Sequence, residues 1–265
     1  MLQASAFSPD GTEFAYRVFD DAGGLKMHLR IAGQDRVLYT QEPVGGHGGP
    51  PYGPYDQLQF SPDGTELLDF WMFRPTSGPL NLLVFKSDGS ILFQESGTVS
   101  GVWSPTENLL YFSVLAQSGL PSEVDSLDPA GQRATVVSGL KGYFWPVMAP
   151  NGGAIIYDTY DTSVPGQATG GLPHLWRLDL SAHSSSQLGS SVSSRPVFVE
   201  PTFVWSNEEK PCECGPGGAS AVDGVVIAHD VIANRDATVD MALTVPGIGA
   251  PAVMPSTGSV LDAWF

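Results

Sequence analysis

FSPDGTEFAY, residues 7–16, returns at residues 60–70 as FSPDGTELLDF with its first seven residues unchanged. Ser-Pro-Asp-Gly is a turn with a mechanism: proline presets φ, aspartate bonds its own downstream backbone, and glycine takes the positive φ that side chains resist. Around the second copy, DQLQF (56–60) leads in and TELLDFWMF (65–73) leads out. NLLVFKSD (81–88) follows, and a turn at Asp88 and Gly89 opens into SILFQES (90–96). Apolar and aromatic runs between such turns predict four antiparallel strands per repeat.

Weaker copies stand at VWSPTENLLYFS (102–113), VMAPNGGAIIYD (147–158) and FVWSN (203–207). The anchors Phe7, Phe60, Trp103, Met148 and Trp205 are therefore 53, 43, 45 and 57 residues apart. That period suits the four-stranded blade of a β-propeller. In the fifth copy NEEKPCECGPGGASAV reads as an insertion (207–222) after a first strand, with the blade resuming at Asp223 as a second and third strand. The final SVLDAWF (259–265) resembles the strand leading into an anchor: either the first strand of a sixth blade or a strand that completes the ring. The expectation is an all-β chain, residues 1–265 forming a single propeller of five or six blades. Phe7, Phe60, Trp103, Phe14, Leu67, Leu110 and Ile155 are the expected core.

Phe7–Tyr16 and Phe60–Phe70 resemble the TolB-type (WD40-like, PD40) β-propeller repeat, with partial matches at Trp103–Phe112 and Met148–Tyr157. The resemblance implies a periplasmic or secreted setting. It is equally compatible with the propeller that precedes the catalytic domain of prolyl-oligopeptidase-like peptidases.

Composition narrows the function classes. The chain has 265 residues, with 31 glycines and 22 prolines, which suits many short strands. With 28 acidic against 12 basic residues the formal charge is −16, which repels phosphate backbones and argues against nucleic acid. No apolar run is long enough to span a bilayer as a helix, so no membrane insertion is expected. MLQASAFSPDG lacks the character of a signal peptide, and Met1 reads as heading a mature domain or fragment.

If the strand before each Ser-Pro-Asp-Gly turn is innermost, the second-to-third-strand loops and the blade-to-blade loops share one face. The long segments EPVGGHGGPPYGPY (42–55), FRPTSGP (73–79), AQSGLPSE (116–123) and DTYDTSVPGQATGGLPH (158–174) all fall there. Long loops on one face mark where a repeat protein meets its ligand. The candidate binding residues are His47, Tyr52, Tyr55, Arg74, Tyr160, Asp161 and His174.

Catalytic and metal signals are thin. Cys212 and Cys214 form a CEC pair, but two thiolates do not close a zinc site, and the expected place of the insertion puts them on the face opposite the long loops. Calcium at Asp158 with Asp161, or at Asp20 with Asp21, competes with the reading of these acids as solvated turn residues. No Gly-x-Ser-x-Gly elbow is present, and the serine-rich run 181–195 reads as an outer strand and exposed loop. The leading expectation is a non-enzymatic recognition or scaffold propeller that takes a protein, peptide or glycan and needs no cofactor. The alternatives are a propeller lyase or hydrolase, a peptidase propeller without its catalytic domain, and a protein that self-associates by strand exchange.

Overall fold

The computed structural model describes residues 2–19, 24–41, 57–72, 80–96, 100–115, 121–140, 142–160, 172–200, 202–211 and 219–240. These residues form five antiparallel four-stranded sheets, each meandering in chain order. The first holds β1 (Leu2–Phe7), β2 (Glu13–Phe19), β3 (Leu25–Ile31) and β4 (Gln34–Gln41). The second holds β5 (Gln57–Phe60), β6 (Glu66–Met72), β7 (Leu80–Lys86) and β8 (Ile91–Ser96). In the third are β9 (Gly101–Trp103), β10 (Leu110–Leu115), β11 (Pro121–Leu127) and β12 (Arg133–Ser138). The fourth contains β13 (Phe144–Met148), β14 (Ala154–Tyr160), β15 (Pro173–Asp179) and β16 (Ser184–Gln187). The fifth contains β17 (Ser193–Glu200), β18 (Phe203–Pro211), β19 (Ala219–Asp230) and β20 (Arg235–Asp240). Two compact units divide the chain, Met1–Ser138 with three sheets and Gly139–Phe265 with two.

The repeated turn is held as its residues imply. The Ser61 hydroxyl donates to Asp63 Oδ1 at 2.8 Å and accepts the Glu66 amide at 3.0 Å, while Asp63 Oδ1 accepts the Thr65 amide at 2.9 Å. Ser8, Asp10 and Thr12 repeat the arrangement. Gly11 and Gly64 sit at φ of 72° and 75°, where a Cβ would strain the chain. Ser61 is fully buried. Ser61→Ala therefore strips the buried Glu66 amide of a partner and is expected to cost about 1–2 kcal/mol, read as a lower urea midpoint at unchanged slope.

In the first unit the anchor rings of the second and third sheets each pack on the sheet before. Phe60 joins Leu58 and Leu67 against Ala15, Leu25, Met27 and Leu29 of the first sheet. Trp103 packs with Leu68, Leu82 and Val84 of the second, and its indole N–H donates to the Gln59 carbonyl at 3.3 Å. Among these apolar residues lies one ion pair, Arg17 Nη1 to Asp69 Oδ1 at 2.8 Å, both side chains fully buried. Phe7 corrects the expected core: it is 68% exposed. The first unit offers it no preceding sheet, and among the described residues its ring meets Phe14 of its own sheet in a tilted pair, 4.7 Å between centroids. In the second unit Ile156, Leu175 and Leu188 of the fourth sheet and its edge pack with Val204 and Val231, flanked by Val147 and Phe198.

The fifth repeat corrects the phase read from sequence. Trp205 lies in the second strand, paired with Val197 on one side and Ala228 on the other. The anchor is Phe198, opposite Val204, and Glu200 already pairs with Phe203, so the long polar turn of the other repeats has no room here. FVWSN imitates the motif by composition. Asp223 accordingly stands in the third strand, and 235–240 form the fourth. Nor is 207–222 a first-to-second-strand insertion. Its described ends prolong the β18–β19 hairpin, with Pro211 opposite Ala219, so residues 212–218 link a second strand to a third rather than a first to a second. Cys212 and Cys214 themselves lie outside the described residues.

Candidate functional site

Two first strands share a local motif that neither composition nor period announced. WPVM (145–148) in β13 and RPVF (195–198) in β17 both put a residue with positive φ before a proline: 48° at Trp145 and 55° at Arg195. Bulky residues avoid this region, and a following proline restricts them toward extended backbone, so each position stores strain. The register shows the cause. Pairing passes from Phe144↔Asp158 to Val147↔Ile156, and from Ser194↔Asn207 to Val197↔Trp205. Two residues oppose one, a β-bulge that re-aims its side chains.

The bulges bring Trp145 and Arg195 together. The guanidinium carbon of Arg195 stands 5.0 Å from the indole centroid, and both side chains are partly exposed. Beneath them Asp158, fully buried, accepts the Arg195 backbone N–H on Oδ2 at 3.0 Å. Asp158 is thus a buried backbone anchor, which corrects its reading as a solvated turn acid. Ser193, Ser194 and Arg195 likewise belong to a first strand rather than an exposed loop.

The segment leading to Arg195 is tied down over its length. Asp236 Oδ2 accepts the amides of Ser191 and Ser190 at 2.7 and 3.0 Å, and Asn234 accepts that of Gly189 at 2.9 Å. Burial alone would raise the Asp236 carboxyl, but the Ser191 hydroxyl and the Ser191 and Ser190 amides hold it below its ordinary value. His174 contributes Nδ1, 3.1 Å from the Ser191 carbonyl. Arg195 is therefore presented on a fixed support.

Of the residues singled out from sequence, His174 reaches this site through the segment that carries Arg195. Tyr160 ends β14 opposite Pro173, and its side chain is outside the described set. His47, Tyr52, Tyr55, Arg74 and Asp161 lie outside the described residues altogether. Trp145 and Arg195 were missed. Their signal was the repeated X-Pro-Val before an anchor, hidden while the fifth anchor stood at Trp205.

Two other polar groups belong to the scaffold. His229, fully buried, has Nε2 2.8 Å from the Ser206 hydroxyl and 3.4 Å from that of Ser193. Burial lowers its pKa to about 4, against a smaller opposing pull from Asp236. A 540 Å³ groove between the first two Ser-Pro-Asp-Gly turns is lined by Asp10, Glu13 and Asp63. Burial and then Asp10 push Glu13 up, while the Ser8 hydroxyl and the Thr12 amide hold Asp10 down. Glu66, raised by burial and Asp63, and Asp63, lowered by its turn donors despite burial, repeat the contrast one sheet later. A pattern that recurs with the turn is a property of the turn. No group of three or more His, Cys, Asp or Glu among the described residues is arranged to hold a metal ion, and no helix there is long and apolar enough to cross a membrane.

No protein-family model and no curated protein matches the sequence. Solved structures match at the level of fold. TolB from Acinetobacter baumannii superposes with a TM-score of 0.54 at 14% identity, over 90% of this chain and 54% of that one. An oligogalacturonate lyase in complex with manganese gives 0.56 at 13% identity, over 88% and 63%. The β-propeller domain of the Trilobed protease from Pyrococcus furiosus gives 0.53 at 11% identity, over 89% and 78%. The chain thus spans less than two thirds of the first two. Its five consecutive four-stranded meanders, the recurring turn and these likenesses together make it a β-propeller with the TolB-like fold.

Proposed function

We propose that this chain is a non-enzymatic recognition propeller that holds a protein segment or peptide at the sheet ends from which the second-to-third-strand connections leave. The observation that carries this reading is the Arg195–Trp145 pair, a cation stacked on an aromatic face at two strained bulges. Strain of this kind persists where a surface is built for use. Register places the pair appropriately: Phe144 faces Asp158, two residues before β14 ends, and Ser193 faces Glu208, three before β18 ends. Arginine and tryptophan are also the side chains that most often anchor interfaces. Among the structural neighbours, one chain of the mitotic checkpoint complex shows the fold within a multi-chain assembly (TM-score 0.55, 10% identity).

The test is binding of the full chain to a peptide array and to a glycan array. A subset of peptides is expected to bind the native chain and not the heat-unfolded one, with Trp145→Leu weakening those hits about tenfold. Absence of any native-specific peptide overturns the reading. Hits confined to the glycan array replace it with a sugar-binding one.

A further inference from the structure

We infer that Arg195 receives a carboxylate of the bound segment, an aspartate or glutamate side chain; this rests on the recognition reading above. Arg17, Arg133, Arg177 and Arg235 are each ion-paired with a carboxylate of this chain. Arg36 donates instead to the Asp88 and Ser87 backbone carbonyls. Arg195, like Arg30 and Arg36, is in no ion pair among the described residues, and its guanidinium lies over Trp145. The nearby buried Asp158 meets residue 195 through its backbone, Oδ2 accepting the N–H at 3.0 Å.

A guanidinium over an indole is held by the ring's π-face, which accepts no planar pair of hydrogen bonds, so its N–H donors suit a planar acceptor. A carboxylate matches that edge with two parallel hydrogen bonds. Because Asp236, Asn234, His174 and Asp158 already hold the approach to Arg195, little ordering remains when the ligand arrives.

The surrounding charge sharpens this assignment. A chain of formal charge −16 repels acidic ligands at long range. Capture of an acidic segment therefore has to come from a short-range, oriented contact. Added salt screens the long-range repulsion, whose reach is about 10 Å at 0.1 M. The contact itself is partly desolvated and loses less. Preference for the carboxylate is thus expected to survive moderate salt, unlike attraction to a diffuse basic patch.

The experiment takes each native-specific peptide from the array and compares it with a twin in which Asp and Glu are replaced by Asn and Gln. Native chain is expected to prefer the acidic member about tenfold, as a charge-assisted pair of hydrogen bonds implies. In Arg195→Met the preference should fall to within about twofold, and Arg195→Lys, which keeps charge without the planar fork, should retain part of it. Both variants keep the backbone N–H that Asp158 accepts, so melting temperatures check that the fold is unchanged. Equal binding of the twins, hits without acidic residues, or full preference in Arg195→Met overturns the carboxylate assignment while recognition stands. An array without hits overturns both.

Discussion

Arg17→Met is expected to lower the unfolding free energy of the first unit by about 3–5 kcal/mol. Arg17 and Asp69 are both fully buried and 2.8 Å apart, one on β2 and the other on β6 of the next sheet. A buried pair repays the desolvation of its charges only while both members are present. Methionine fills much of the arginine volume, so the loss comes from the Asp69 carboxylate left without its guanidinium rather than from a cavity. The control is Arg17→Met combined with Asp69→Leu, which removes the buried carboxylate as well and should recover most of the loss. Urea unfolding followed through Trp103, which packs at the next interface of the same unit, reads both. A single variant within about 1 kcal/mol of the parent would show that the pair contributes little to stability.

The second large effect is a pH dependence from His229. Its pKa is lowered from 6.5 to about 4 by burial in the fifth sheet. The unfolded chain therefore binds a proton between these values that the folded chain refuses. Stability is fully present above pH 6.5, falls as pH drops, and has lost about 3 kcal/mol near pH 4. Other groups titrate nearby with mixed signs. Glu13 and Glu66, raised by burial, favour the folded state as they protonate, whereas Asp63 and Asp236, held low, lose their contribution in more acid solution. The comparison that isolates His229 is therefore with His229→Gln, which keeps a polar group facing Ser206 and cannot ionise. The difference between the two stability curves should grow as pH falls from 6.5 to 4. Parallel curves would mean that His229 is charged, or equally neutral, in both states.

What the sequence disclosed follows the reach of each interaction. Ser61, Asp63 and Thr65 bond one another within a few positions, so their turn can be read wherever its residues recur, and the four strands around it follow from alternation and spacing. The fifth sheet escaped because its first two strands pair as close to their connection as Glu200 and Phe203, without the Ser-Pro-Asp-Gly residues between them. Arg17 and Asp69 are 52 residues apart, and a charged residue in the middle of a strand gives no hint that its partner lies one repeat away. Arg195 and Trp145 were hidden for a related reason. A bulge is a mismatch of two strands, visible only once their register is known, and the wrong fifth anchor removed the alignment that would have set WPVM beside RPVF.

The packing of these two anchor rings, Phe60 and Trp103, each on the sheet before, bears on how the chain is made. Within the first unit, Phe60 closes against residues 15–29 and Trp103 against residues 68–84. Every interface there joins neighbouring segments of chain. A polypeptide leaving the ribosome N-terminus first can thus bury one sheet as soon as the next is synthesised, without waiting for distant partners. Chains stalled once Leu83 and Phe85 have left the ribosome should already protect the amides of β2 and β3 from exchange.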